Sequence, residues 1–273
     1  MPYSCFFDQT FMSPIIHLTS SAKINLTLDV LGKDDRVGKH FLNTIFYRID
    51  SLQDDLYLSR REDDENRVHC DYPGVAKGNL NTVIMALHAL GERGWEVKIK
   101  KKIPTQAGLG GGSGNAGSII KYFGEKKGIP MDHLEELARG IGADVPFFLL
   151  DENLAYAEGF GDQIVQSWQI PQLPIEIIPT GINVSTAEAY AGLDQENIGS
   201  GSSKTEALLQ ILNSKTEVSS EMLKPYIHND FEFSIFEQFP QLKGMGNLCG
   251  SGGMLWNWRN DQSRSFTTIR AGN

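Results

Sequence analysis

The segment Ala107-Gly-Leu-Gly-Gly-Gly-Ser-Gly-Asn-Ala116 lies between an apolar run ending at Pro104 and a helix-patterned stretch through Ile119, Ile120 and Phe123. Glycines in that position let several backbone N–H groups converge in front of a helix N-terminus, where the aligned peptide dipoles favour an anion. With no Cβ atoms in the way the backbone can approach a polyphosphate, so Gly111→Val is expected to weaken phosphate binding without unfolding the protein. The Ser113 hydroxyl can ligate a divalent cation or a phosphate oxygen. A flexible linker or tight turn is the plain alternative. The Walker pattern fails because no Gly-Lys-Ser/Thr triplet occurs. Gly112-Ser-Gly-Asn-Ala-Gly117 fits G-x-G-x-x-G, but about twenty residues on, where a dinucleotide site needs an acidic residue ending a strand, Glu135 and Glu136 sit in a helical pattern. Neither an HRD nor a DFG triplet is present, which excludes a protein kinase.

Something must hold that loop. Ser21 to Leu31 alternates, with Ile24, Leu26, Leu28 and Val30 on one face and Lys23, Asn25, Thr27 and Asp29 on the other, the pattern of a half-buried strand. Phe41 to Ile49, Leu56 to Arg60 and Val68 to Tyr72 are shorter β-like runs, and the charged Arg60 to Arg67 reads as a solvated hairpin tip. Leu80, Val83, Ile84, Leu87 and Leu90 have helical spacing, and Trp95 to Ile103 reads as a strand leading into the glycine run. Asp132 with Glu135 predicts a capping-box start for the next helix, which ends near Gly140. Beyond about residue 155 come β-like runs at 154–158, 164–168 and 175–178, then helical patterns at 187–193, 204–212 and 231–239, with a loop at Asn197 to Ser203. Strands mixed with helices, without regular β-α-β alternation, predict an α+β fold. The expected division is 1–155 and 156–273, with residues 1–14 a loose extension.

A chain of 273 residues has ample length for a core, and 40% hydrophobic residues exclude wholesale disorder. A formal charge of −9 disfavours nucleic acid and anionic membrane surfaces as partners. Cys5, Cys70 and Cys249 are odd in number and share no metal-ligand spacing, so a reducing compartment is expected. The first twenty residues contain no Lys or Arg and no apolar run approaches eighteen residues, so the protein is expected to be soluble and cytoplasmic.

Ile103 to Ala116 as a whole resembles the central motif of the GHMP small-molecule kinases. Ser21-Ala-Lys-Ile-Asn-Leu26, Gly38-Lys-His40, Gly142-Ala-Asp-Val-Pro-Phe-Phe148 and Ala157-Glu-Gly-Phe-Gly161 narrow the resemblance to the branch acting on a cytidine-diphosphate-linked methylerythritol. The resemblance runs from about Ser20 to Gly253 and implies a two-domain GHMP kinase fold that phosphorylates the 2-hydroxyl of that substrate with ATP and Mg²⁺. It makes Lys23 and Asp144 the catalytic pair. Asp144 takes the hydroxyl proton, while Lys23 keeps Asp144 ionised and neutralises the transferring phosphoryl group. Gly108, Leu109, Gly110, Gly111, Gly112, Ser113 and Asn115 are implied to cradle the ATP phosphates, with Ser113 also the metal ligand. Asn79, Leu80 and Lys101 are implied to border the adenine. Asn25, His40, Ser185, Thr186 and Tyr190 are implied to face the substrate, His40 against the cytosine, although Ser185 with Glu188 also reads as a helix cap. Gly250 to Gly253 matches the last glycine loop of these kinases. Three departures stand out: Lys39 where an aromatic residue is usual, Gly114 and Asn115 where Ser and Asp are common, and an atypical tail from Met254 to Asn273. Another GHMP small-alcohol kinase, or a nucleotide-binding module with impaired catalysis, remains the alternative.

Overall fold

The computed structural model describes residues 14–70, 72–193, 198–215, 217–259 and the backbone of 270–271. The predicted extension at 1–14 lies almost wholly outside them, as does most of the tail beyond Arg259.

Two long strands, β1 (Ile16–Asp34) and β2 (Lys39–Arg60), form an antiparallel ribbon that organises the molecule. The two runs read separately at 41–49 and 56–60 are one strand. Three register shifts bend the ribbon, one of them between Asn25 and Thr27. Strand β3 (Arg67–His69) runs parallel to β4 (Trp95–Lys100), and β4 pairs with the second half of β2. Arg60 to Arg67 is therefore a connection between strands that do not pair with each other, not a hairpin tip. Strand β5 (Leu154–Glu158) pairs with the first half of β2, and β6 (Gln163–Gln169) pairs with β5. Residue 155 falls inside β5.

Helices α1 (Thr82–Ala89), α2 (Gly111–Lys127) and α3 (Met131–Ile141) cover one face of this sheet. Their core joins Leu56, Leu58 and Val97 to Leu87, Ile120 and Phe123. Helix α1 is capped by the Asn81 side chain, which accepts from Val83 N–H. The capping box expected at Asp132 is absent: Pro130 occupies the N-cap position, and Asp132 accepts from the N–H of His133 instead. Proline's fixed φ sets the entry to α3 two residues earlier than the acidic pattern suggests.

A small second sheet joins β7 (Ile175–Ile178), β9 (Asn247–Leu248) and β10 (Leu255–Trp258). Around it lie α4 (Thr186–Ala191), α5 (Ser202–Ser214), α6 (Ser220–Leu223) and α7 (Phe231–Gln238), and β8 (His228–Asn229) runs parallel to β1 at the edge of the large sheet. Leu208 and Trp256 pack with Ile24, Leu26 and Tyr47, while Phe231 and Leu255 pack with Leu28 and Val30. The consequence falls on β1. All nine residues from Ala22 to Val30 are buried, the polar set included, so the expected half-buried strand is covered on both faces. Among the described residues, no helix is long and apolar enough to cross a membrane.

Candidate active site

The glycine run folds as a loop whose last residue, Gly110, is the N-cap of α2 at φ 67°, a left-handed conformation that glycine adopts without strain. Lys23 N–H donates to Leu109 O at 2.9 Å, so the centre of β1 holds the loop. A cavity of about 330 Å³ opens in front of α2, lined by Leu80, Thr82, Lys101, Ser113 and Asn115 as well as the glycines. The Asn115 side chain is 3% exposed and its Oδ1 has no hydrogen-bond partner. Gly112 is the open position of the run, with Thr82 Oγ1 3.5 Å from where its Cβ would stand. Gly111 is different. A Cβ there would meet Ile103 Cγ2 and Lys101 Nζ at 2.9 Å, on the strand side, so the effect expected of Gly111→Val comes from packing beneath the loop and not from obstruction of phosphates. At Gly114 a Cβ would lie 2.6 Å from Ser20 Oγ and 2.8 Å from Ser21 O, so β1 fills the room that a serine would need.

The loop is also gripped from the far end of the chain. A Cβ on Gly108 would overlap the Cys249 carbonyl, and one on Gly252 would overlap Ala107. The glycine loop at 250–253 thus interlocks with the first, backbone against backbone.

A second cavity, of about 410 Å³, lies on the other side of this junction, and Gln106, Gly108 and Gly110 line both. Gln106 is the one non-glycine residue with positive φ (56°) among those described. Lys23 and Asp144 meet in the second cavity, Nζ to Oδ2 at 3.3 Å, the lysine buried and the aspartate side chain 33% exposed. Lys23 Nζ also donates to Asn25 Oδ1 at 2.9 Å and lies 5.1 Å from the centre of the Phe46 ring. Thr186 Oγ1 is 3.2 Å from Ser251 Oγ, tying α4 to the second glycine loop. Ser185 completes a full capping box with Glu188, and those bonds hold the Glu188 carboxyl below its ordinary range. The Tyr190 hydroxyl is pushed up to about 12, by burial first and the Asp144 charge second, and stays neutral.

The sequence-derived site residues divide accordingly. Lys23, Asn25, Asp144, Ser185, Thr186 and Tyr190 share the second cavity. The glycines, Leu109, Ser113, Asn115, Leu80 and Lys101 share the first. Lys101, however, is locked beneath the loop on Asp54, Nζ to Oδ2 at 2.6 Å, with both side chains buried. Asn79 lines a separate polar hollow with Glu65 and His88. His40 lies beside the second cavity, stacked on Tyr190 with ring centroids 4.4 Å apart, and burial with the Lys33 charge lowers its imidazole below the ordinary value. Thr44, Phe46 and Phe160 line the cavity without having been singled out in the sequence. Phe160 stacks on Phe41, and Lys39 Nζ sits 5.4 Å from its ring centre. The motif around Phe160 was visible, but only folding brings the β5–β6 turn beside Lys39.

One further cluster of possible metal ligands occurs among the described residues: Asp29, His228 and Asp230. Its atoms are already committed to one another and to the backbone. Asp29 accepts from Thr205 Oγ1 and pairs with His228 Nε2, both at 2.6 Å, while Asp230 accepts from the N–H groups of Val30 and Gly199.

Residues 79–152 match the family described as GHMP kinases N terminal domain. The chain is 31% identical to the 4-diphosphocytidyl-2-C-methyl-D-erythritol kinase of Syntrophotalea carbinolica over 91% of this chain and 88% of that one. It is 34% identical to the kinase of the same name from Thermotoga maritima, over 87% and 86%. With the Citrifermentans bemidjiense kinase it shares 38% identity, and that match spans 65% of each chain. A solved 4-(cytidine 5'-diphospho)-2C-methyl-D-erythritol kinase superposes with a TM-score of 0.69 at 28% identity, covering 90% of both chains. A homoserine kinase from Cytophaga hutchinsonii gives 0.63 at 15% identity over 96% and 95%, a likeness of fold.

Proposed function

The chain belongs to the 4-diphosphocytidyl-2-C-methyl-D-erythritol kinase family of GHMP kinases, and we propose that it transfers the γ-phosphoryl group of ATP to the 2-hydroxyl of that cytidylyl alcohol. The observation that carries this reading is the contact of Lys23 with Asp144 at 3.3 Å, at the junction of two cavities that share Gly108 and Gly110. One cavity has a helix N-terminus and suits phosphates; the other has a carboxylate and suits an alcohol.

In this reading ATP lies in the first cavity with its phosphates at Gly110 to Ser113. The alcohol lies in the second, its 2-hydroxyl against Asp144. Asp144 accepts the hydroxyl proton as the new O–Pγ bond forms and the bond from Pγ to the β,γ-bridging oxygen breaks, releasing ADP. The Lys23 ammonium keeps Asp144 anionic and offsets charge on the phosphoryl oxygens, the electrostatic work that dominates phosphoryl transfer. The lining carries few carboxylates, so Mg²⁺ fits as an ion held mainly by the nucleotide, with the Ser113 hydroxyl as its protein donor, and there it supplies charge neutralisation. Asn25, Thr186 and Tyr190 line the alcohol side, with Ser185 fixing the start of α4. His40 against Tyr190 marks the edge where the cytosine stacks, and Phe160 supplies an aromatic wall beside Lys39.

An ADP-release assay with the cytidylyl alcohol and with homoserine tests the reading. ADP formation with the first alone is the expected result. Turnover of homoserine, or of neither, overturns it.

A further inference from the structure

Asn25 reaches Lys23 with its carbonyl and Thr44 with its amide nitrogen. Lys23 Nζ donates to Asn25 Oδ1 at 2.9 Å, and Asn25 Nδ2 donates to Thr44 Oγ1 at 2.7 Å. Thr44 in turn lies 2.7 Å from the carbonyl oxygen of Thr27. A hydroxyl has one proton, and a carbonyl can only accept. The Thr44 proton is therefore fixed on Thr27 O, Thr44 can offer Asn25 only a lone pair, and the Asn25 amide must turn its NH₂ to Thr44 and its oxygen to Lys23. The two ends require the same direction, since the Lys23 ammonium can only donate.

The setting leaves little freedom. Lys23, Asn25 and Thr44 are 4%, 3% and 0% exposed, so water is poorly placed to substitute for a missing partner. The register shift between Asn25 and Thr27 belongs to the same device. Asn25 pairs with Phe46 and Thr27 with Ile45, leaving Leu26 as the extra residue, and Thr44 sits opposite Leu28 with its hydroxyl reaching back to Thr27. Without the hydroxyl nothing opposes a flipped Asn25 amide except its own clash, NH₂ against the Lys23 ammonium.

We propose that Thr44 is a positioning residue for phosphoryl transfer: its hydroxyl fixes the Asn25 amide, and the amide holds Lys23 Nζ where it meets Asp144. The inference rests on the reading of Lys23 and Asp144 given above. It also leaves Asn25 with one N–H and one lone pair for the substrate, in a fixed orientation.

Thr44→Val removes the hydroxyl at nearly constant shape, Thr44→Ser retains it, and Thr44→Ala serves where the valine variant fails to fold. The expected result for Val or Ala is a fall in kcat of about tenfold, the usual scale for one lost hydrogen bond, with KM for ATP within about twofold of wild type. Thr44→Ser restores most of the rate. A second readout does not depend on turnover: the ¹⁵N resonances of the Asn25 amide and the Lys23 ammonium should move in Thr44→Val and stay in place in Thr44→Ser. Unmoved resonances in the valine or alanine variant overturn the proposal whatever the rates. Moved resonances with kcat within twofold of wild type overturn it as well, and so does a serine variant that behaves like valine. If the wild-type protein turns over no cytidylyl alcohol, the functional reading falls, the catalytic half of this proposal falls with it, and the resonances still decide whether Thr44 sets the amide.

Discussion

Lys23 Nζ and Asp144 Oδ2 lie 3.3 Å apart, one on the buried centre of β1 and the other in the loop after α3, with the lysine side chain 5% exposed and the aspartate 33%. The asymmetry leaves the carboxylate open to the cavity while the lysine is held among Asn25, Phe46 and Asp144. Asp144→Asn keeps the shape and removes the basicity, so turnover at saturating ATP should fall about 10² to 10⁴-fold, the range for a lost general base. Lys23→Ala should also depress turnover strongly, and the double variant should lose much less than the product of the two, because the pair acts as a unit. Retention of more than about a tenth of wild-type turnover by Asp144→Asn would make it a turn residue.

Gly108, in the loop, and Gly112, in the first turn of α2, face different surroundings. Gly108→Ala forces a side chain into the Cys249 carbonyl at φ +74°, whereas Gly112→Ala places one 3.5 Å from Thr82 Oγ1. Urea denaturation should show a loss of about 2–5 kcal/mol for the first, from overpacking and left-handed strain together. For the second the stability should be close to wild type. Equal stabilities would mean that the two glycine loops do not interlock.

Asp54 accepts from Lys101 Nζ at 2.6 Å and from the N–H groups of Lys102 and Ile103 at 2.8 Å, all beneath the glycine run. Asp54→Asn strands a buried ammonium and should cost about 3–5 kcal/mol. The double variant Asp54→Leu with Lys101→Met removes both charges and should recover part of that loss. Recovery is read from denaturation midpoints, and none would place the whole cost in the backbone bonds to Asp54.

His228 has both ring nitrogens against acceptors, Nε2 on Asp29 Oδ1 and Nδ1 on Tyr226 O at 3.1 Å. A carbonyl cannot donate, so Nδ1 carries a proton, and the Asp29 carboxyl beside Nε2 favours a second proton there. Burial lowers its pKa, but the hydrogen bond and charge of Asp29 outweigh this and raise it above 6.5. A raised folded value means stability that is fully present below the unfolded pKa and is lost as pH rises through the folded one. Asp230 and Glu232, both raised by burial, contribute with the same sign. Denaturation midpoints at pH 6 and pH 9 should differ in wild type, higher at pH 6, and the difference should shrink in His228→Asn. An unchanged difference would assign the slope to other groups.

What the sequence made legible was the local pattern. The alternation in β1 tells which residues share a face, and the order of strand, glycine run and helix is plain in the chain. Whether the second face of β1 is covered depends on segments nearly two hundred residues away: Asp29 meets Thr205 and His228. No local period encodes that. Charge in Arg60 to Arg67 suggested a tip, yet β3 passes β2 to pair with β4, a choice made by sheet topology. Phe160 acquires its place only when the β5–β6 turn folds over β2, and the Thr44 hydroxyl takes its meaning from the register shift opposite it.

The grip of Cys249 and Gly252 on Ala107 and Gly108 has a consequence for the order of events during synthesis. The first glycine loop leaves the ribosome about 140 residues before the loop that clasps it, and at about 5–20 residues per second that is a gap of roughly 7–28 s. Through that interval the nascent chain holds a glycine run with its clasp still missing. A ribosome stalled before residue 249 would therefore present the first glycine loop and the start of α2 without the backbone that clasps them.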